Sequence, residues 1–224
     1  MGAPGETEYL GMRRRWVLAD SKMNGDRAMV NHLLTGLASQ TKGLSSSIVV
    51  CPPAIYLDQA QKLLADARIS LGAQNASEFV QGAYTGEIAA SMLAEMGCRY
   101  VLVGHSERRS LYGETDAVVA QKLVALLEQE LTPVLCVGES ESERASGKTE
   151  QVISRQLKVS IEAVGIEALA KAIIAYEPVW AIGTGNTATP EQAQTVHLHI
   201  RQQLALRSEK VAAELPLLYG GSVN

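Results

Sequence analysis

Short apolar runs alternate with amphipathic segments along this chain of 224 residues, and that alternation limits the folds it can adopt. The apolar runs carry little polar alternation, which is typical of parallel strands buried on both faces. The segments between them have helical periodicity, as in TDAVVAQKLVALLEQE and TEQVISRQLKVSIEAV. Repeated strand and helix predict an α/β protein with a parallel sheet covered by helices. The candidate strands are RWVLAD, SIVVC, ISLGAQ, YVLVG, PVLCVG, IIAYEP and LPLLYG.

Two architectures fit this order of elements, an open doubly wound sheet and a closed (β/α) barrel. Both place functional residues at the carboxyl ends of the strands. The first strand is followed by DSKMNG rather than a glycine-rich fingerprint, so a dinucleotide site is not expected. Because no linker interrupts the pattern, we expect one domain over residues 13–224. Residues 1–12 are predicted to be a disordered extension.

Composition narrows the class of partner. A formal net charge of -4 and a pI near 5.6 offer no basic surface for nucleic acid. No apolar run is long enough to span a bilayer, and the N-terminus lacks the features of a secretory signal. Three cysteines without metal-type spacing lie in or beside apolar runs, which favours buried thiols in a reducing compartment. We therefore expect a cytoplasmic protein without membrane or nucleic-acid partners.

Four polar side chains follow predicted strands at the point where each strand ends: Lys22, His105, Glu139 and Glu177. We expect these four to converge at one rim as a site rather than as part of the core. Glu177 comes after the run IIAY and directly before Pro178, which fixes the backbone at the strand exit. Such a carboxylate is either a general base or a capping residue in an ordinary loop, and the segment alone supports both equally.

His105 and Lys22 have similar pairs of interpretations. A neutral imidazole at a strand end can donate a hydrogen bond to a substrate oxygen, whereas many single histidines are structural. Lys22 can hold an anion or can simply be solvated. The remaining histidines lie in amphipathic helical segments and are expected on the surface: His32, His197 and His199.

Six motifs, taken in order, resemble the triosephosphate isomerase family over essentially the whole chain from about residue 13. They are KMNG, GAYTGEIAASML, YVLVGHSERR, TPVLCVGE, AYEPVWAIGTG and YGGSVN. The resemblance implies a (β/α)8-type TIM barrel that interconverts dihydroxyacetone phosphate and glyceraldehyde 3-phosphate. It implies no organic cofactor and no metal.

The resemblance also implies roles for particular residues. Glu177 is expected to be the base and His105 the neutral electrophile. Lys22 is expected to stabilise the enediolate, with Glu107 close to it. Further expectations are that Gly183 and Ser222 bind the phosphate through their amides, that Pro178 to Gly185 form a lid, and that QGAYTGE docks into a second subunit of a homodimer.

Two departures from the family pattern qualify these expectations. The first strand ends in Asp20 and Ser21 where the family has asparagine and tryptophan. Asp20 is expected to line the substrate site and to oppose a dianion unless it is protonated or bonded to Lys22. The chain also ends at Asn224, where the family continues with an eighth strand, a glycine pair and a helix. An incomplete barrel, an altered homo-oligomer and an inactive isomerase-like scaffold are the resulting alternatives.

Overall fold

The computed structural model describes residues 15–181 and 187–221. Over these ranges the chain forms one parallel sheet whose strand order follows the sequence. The strands are β1 Trp16–Asp20, β2 Ser47–Cys51, β3 Ile69–Ala73, β4 Tyr100–Val103, β5 Thr132–Val137, β6 Ile173–Tyr176 and β7 Leu217–Tyr219. Every strand predicted from the sequence is therefore confirmed.

Helices connect the strands and cover one face of the sheet. Within the described ranges the α-helices are α1 Arg27–Gln40, α2 Leu57–Leu64, α3 Ala90–Glu95, α4 Ser106–Tyr112, α5 Asp116–Glu128, α6 Glu141–Ala145, α7 Thr149–Val164, α8 Ile166–Leu169, α9 Pro190–Ala205 and α10 Glu209–Glu214. Short 3-10 turns occupy Ala54–Tyr56 and Val179–Ala181. In the described part of the chain, no helix is both long enough and apolar enough to cross a membrane.

Local sequence accounts for where the longer helices begin. The Asp26 carboxylate accepts a hydrogen bond from the Met29 N–H at 2.8 Å and so caps α1. Helix α9 begins after Thr189, with Pro190 in its first turn and a reciprocal capping box formed with Gln192. This is the start that the sequence TPEQ predicts. Each cap satisfies amide groups that the first helical turn leaves unpaired.

Alternate strand residues divide the core into two layers. Val50, Leu135 and Ile174 face outward and join the apolar surface of the covering helices. Val49, Leu102 and Val134 belong to a second cluster on the opposite face, which is the inside of the curved sheet. The seven strands thus form a nearly closed barrel of the TIM type rather than an open doubly wound sheet.

A cleft of about 1290 Å³ adjoins the two outer strands of the sheet. Among the described residues, β1 pairs only with β2, and β7 only with β6. Trp16 and Leu18 of β1 line the cleft together with Leu218 and Tyr219 of β7. The cleft also reaches the carboxyl ends of the strands, so the fold brings polar residues from those ends into one cavity.

Candidate active site

Five polar side chains from three strand exits line the cleft. Asp20 and Lys22 come from the end of β1, His105 and Glu107 from the end of β4, and Glu177 from the end of β6. Parallel strands in a barrel all direct their carboxyl ends to the same rim, which is why residues so distant in sequence meet here.

Glu177 is held firmly at the exit of β6. Its side chain is 7% exposed, and its Oε2 accepts a hydrogen bond from the Ser106 N–H at 2.8 Å. Its own N–H donates to the Val137 carbonyl at 2.7 Å. A Cβ on Gly138 would lie 1.8 Å from the Glu177 carbonyl oxygen, so only glycine allows this close approach of the backbones. The contacts leave Oε1 directed toward His105.

The hydrogen bonds of His105 determine where its proton lies. Nδ1 accepts a hydrogen bond from the Glu107 N–H at 3.2 Å and therefore carries no proton of its own. In the neutral imidazole the proton is then on Nε2. That nitrogen lies 3.4 Å from Glu177 Oε1 and 3.6 Å from Asp20 Oδ2. A donor thus faces the space beside the Glu177 carboxylate.

Lys22 supplies a cation next to this pair. Its φ of 50° is unusual for a residue other than glycine and is typical of backbone held in place by its surroundings. The Lys22 carbonyl accepts a hydrogen bond from Gln74 Nε2 at 2.8 Å. The Lys22 ammonium contacts Glu107 Oε1 at 2.5 Å. Burial raises the pKa of Glu107, but the hydrogen bond and charge of Lys22, together with His105, outweigh burial and lower it.

A carboxylate, an imidazole N–H and an ammonium around one cavity can move a proton beside a carbonyl group. The carboxylate can accept a proton from carbon, while the two donors stabilise the negative charge that develops on oxygen.

Comparison with known proteins identifies the family. The family model described as triosephosphate isomerase matches residues 15–224. This chain belongs to the triosephosphate isomerase family.

Curated triosephosphate isomerases are similar over nearly the whole chain. The protein of Nitrosococcus oceani is 52% identical over 214 residues, which cover 95% of this chain and 86% of that protein. That of Hydrogenovibrio crunogenus is 53% identical over 215 residues, covering 95% and 85%. That of Thiobacillus denitrificans is 55% identical over 213 residues, again covering 95% and 85%.

The structure brings together most of the site residues expected from the resemblance to triosephosphate isomerase. Asp20, Lys22, His105, Glu107 and Glu177 all line the cleft. Gly183 and Ser222 lie outside the described residues, as does the second half of the expected lid, residues 182–185.

The sequence suggested that the charge of Asp20 could be relieved either by protonation or by a bond to Lys22. The structure shows no bond between the Asp20 carboxylate and the Lys22 ammonium. Its Oδ1 accepts hydrogen bonds from the Lys22 backbone N–H at 2.9 Å and from Gln74 Nε2 at 3.0 Å. The ammonium goes to Glu107 instead.

Glu139 does not join the other strand-end residues at the cleft, so the expectation that it would do so is wrong. Its side chain is fully buried behind the exit of β6. Oε1 accepts hydrogen bonds from the Tyr176 hydroxyl at 3.0 Å, from Trp180 Nε1 at 3.0 Å and from Arg144 Nη1 at 3.1 Å. Glu139 therefore anchors the segment that carries Glu177 rather than facing a ligand in this triosephosphate isomerase fold.

Two residues that position the site were not singled out from the sequence. Gln74 donates to Asp20 Oδ1, to the Lys22 carbonyl and to the Cys51 carbonyl. Ser106 contributes the N–H that holds Glu177. Gln74 was detectable as the polar residue that ends the predicted third strand ISLGAQ, whereas the role of the Ser106 amide depends only on the fold.

Proposed function

We propose that this chain interconverts dihydroxyacetone phosphate and glyceraldehyde 3-phosphate, with Glu177, His105 and Lys22 carrying the chemistry. The observation that supports this most directly is the 3.4 Å separation of Glu177 Oε1 and His105 Nε2 at the mouth of the cleft. The names of the curated relatives, all triosephosphate isomerases, agree with this reaction.

Glu177 acts as the base in the proposed mechanism. Its carboxylate takes a proton from the carbon next to the substrate carbonyl and becomes a carboxylic acid. The electrons of the broken C–H bond form a C=C bond, and negative charge moves onto the former carbonyl oxygen. The proton of the neighbouring hydroxyl moves to the former carbonyl oxygen, and Glu177 returns its proton to the carbon that carried that hydroxyl, which completes the exchange of aldose and ketose. One group can perform both steps because the Ser106 N–H holds it in place.

His105 and Lys22 stabilise the enediolate that forms between the two proton transfers. The His105 Nε2–H donates to the oxygen that gains charge, and its Nδ1 stays an acceptor for the Glu107 N–H. The Lys22 ammonium adds positive charge at the same rim while it contacts Glu107. Donors fixed in advance of the reaction need little rearrangement as the charge develops.

Other features of the proposal stay predictions. Phosphate binding by the amides of Gly183 and Ser222, a homodimer or other homo-oligomer, and a cytoplasmic location all follow from the family resemblance or the composition. Proton transfer by these side chains requires neither a metal nor an organic cofactor. The boundary of the folded domain near residue 12 is likewise a prediction.

The test is a coupled assay of glyceraldehyde 3-phosphate isomerisation by the purified chain and by Glu177→Gln. The amide of the variant cannot accept the proton, so kcat/KM should fall by at least about 1000-fold. The matched control is Glu167→Gln, which makes the same chemical change at an exposed position in α8 and should retain full activity.

The parallel variants also exclude a contaminating host enzyme, because such an enzyme would give equal rates in all three preparations. Equal rates in the chain and in folded Glu177→Gln would remove Glu177 from the role of base. Absence of activity in all three folded proteins would favour an isomerase-like scaffold over an enzyme.

A further inference from the structure

Asp20 places a fixed negative charge beside His105, the residue proposed to donate a hydrogen bond to the substrate. Its Oδ1 accepts two hydrogen bonds, from the Lys22 N–H and Gln74 Nε2, so the carboxylate cannot rotate without losing them. The other oxygen, Oδ2, lies 3.6 Å from His105 Nε2. The side chain of Asp20 is only 17% exposed, so solvent screens this charge incompletely.

The balance of charge around His105 is negative. Carboxylates of Asp20, Glu107 and Glu177 surround the imidazole within 3.8 Å. Lys22 contributes a positive charge beside these three carboxylates, but its ammonium is already paired with Glu107. Arg108 follows Glu107 in the sequence, but its guanidinium pairs with Glu114. Arg15 and Arg201 also line the cleft, but they lie before β1 and in α9. A phosphorylated ligand, which carries a charge of about -1.5 to -2 at pH 7, therefore meets excess negative charge where it approaches His105.

We infer that Asp20 is an affinity-determining residue that weakens the binding of phosphorylated substrates to this chain. Two effects combine. The Asp20 charge repels the ligand, and Oδ2 attracts the Nε2 proton of His105 that the substrate oxygen must receive. The inference rests on the proposed function only for the identity of the substrate, because the repulsion applies to any phosphate monoester in the cleft.

The substitution Asp20→Asn separates charge from geometry. The amide oxygen of the variant can still accept the hydrogen bonds from the Lys22 N–H and Gln74. The amide nitrogen takes the place of Oδ2. It is a hydrogen-bond donor, and it lies beside the donor Nε2–H of His105. Two donors can then bind one substrate oxygen, whereas in the native chain a donor and a carboxylate compete there.

The experiment measures both catalysis and binding. For Asp20→Asn we expect KM for glyceraldehyde 3-phosphate to fall by about fivefold, with kcat changed less than KM. Binding is measured by calorimetry with glycerol 3-phosphate, a phosphate monoester of the same carbon skeleton that lacks a carbonyl and cannot be isomerised. Its Kd should fall by a similar factor. Asp20→Ser, which also removes the charge, should shift Kd in the same direction.

Asp66→Asn is the matched control, because it removes the same charge at an exposed position before β3, at the other end of the strands. It should leave both KM and Kd unchanged. Equal KM and Kd in Asp20→Asn and the native chain, with isomerisation intact, would overturn the inference and leave the proposed function standing. Tighter binding of glycerol 3-phosphate without isomerisation in any protein would support the inference and refute the function. A higher kcat with unchanged Kd would show that Asp20 acts on the reaction step, which also contradicts a role in affinity.

Discussion

At the scale of single residues, the same side-chain type serves different purposes according to what surrounds it. His105 is fixed by the Glu107 N–H and faces the cleft. His197 was expected on the surface but is half-buried on the side of α9 that meets β7, where its Nε2 lies 3.2 Å from the Leu218 carbonyl. Its ring packs edge-on against Tyr176 with centroids 6.3 Å apart. Burial lowers the pKa of His197, since it disfavours the charged form.

The lowered pKa of His197 predicts a pH-dependent stability. The unfolded chain binds a proton at His197 near pH 6.5, whereas the folded chain binds it only at lower pH. The stability that neutral His197 contributes should therefore be fully present above pH 6.5, and the free energy of unfolding should decrease as the pH falls below that value. The glutamine side chain of the variant His197→Gln cannot titrate, so urea unfolding at pH 7.5 and 5.5 should show a smaller decrease in the variant than in the native chain, by about 1 kcal/mol or less.

Other titrating groups do not obscure this comparison. The variant keeps every ionisable group of the chain except His197, so the difference between the two proteins isolates that residue. The pKa of Glu107 and that of Glu114 are lowered, so the stability that these carboxylates contribute is lost only below pH 4.5. Identical pH dependence in the two proteins would show that His197 titrates normally in the folded state.

At the scale of elements, the position of Glu177 depends on the contact between the ends of β5 and β6. Gly138 follows β5, and its backbone N–H and carbonyl both bond to the Gln156 side chain of α7. The Glu177 backbone lies so close that no Cβ fits at residue 138. The network around Glu139 then holds the turn Val179–Ala181, which follows Glu177. The end of β5, helix α7 and the turn Val179–Ala181 thus together determine the position of the Glu177 carboxylate.

Gly138→Ala should displace the exit of β6 and with it Glu177. A displacement of about 1 Å at a reacting group can reduce the rate about 100-fold, and we expect a loss of that size in kcat/KM. The added methyl should also lower the free energy of unfolding by about 1–3 kcal/mol, as overpacking does elsewhere. The coupled assay and urea unfolding measure the two effects.

Gly36→Ala is the matched control for this substitution. Gly36 lies inside α1, where a Cβ would meet nothing within 4 Å. The control should keep full activity and gain about 0.5–1 kcal/mol in stability, because alanine favours the helix. Full activity in Gly138→Ala would mean that the backbones separate without moving the carboxylate.

Elements with clear periodicity were predictable from the sequence, and those built from tertiary contacts were not. The strand SIVVC and the helix TEQVISRQLKVSIEAV have the same bounds in sequence and structure, namely β2 and α7. The short helices α3, α4 and α6 were not predicted, because five to seven residues are too few to show a helical period.

The site residues were identified mainly through family motifs, since an isolated Glu177 or His105 is ambiguous. The burial of Glu139 depends on Tyr176, Trp180 and Arg144 meeting around it, which no local pattern reveals.

At the scale of the whole molecule, one region exposes more apolar surface than a helix-covered barrel requires. Phe79 and Tyr84 stack on each other with ring centroids 3.9 Å apart, yet each is more than 40% exposed. Near this loop lies a groove of about 310 Å³ lined by Met23, Gly86 and Tyr112 among others. A projecting apolar loop next to a groove on the same chain suits a two-fold interface, in which each copy inserts its loop into the other. This geometry supports the homodimer that the segment QGAYTGE suggests.

Tyr84→Glu should therefore weaken self-association. A carboxylate on the loop would be buried without a partner in such an interface, and the dissociation constant should rise by at least about 100-fold. Sedimentation velocity over a range of concentrations measures the change, and circular dichroism checks that the loss of the Phe79 stack does not unfold the chain. Leu206→Glu is the control, since Leu206 is 77% exposed after α9 and its substitution should not affect association.

Because the groove shares Lys22, His105 and Glu107 with the cleft, the separated chain should also lose activity. Equal association of both variants and the native chain would place any interface elsewhere and would leave the stacked pair as a surface feature of the single barrel.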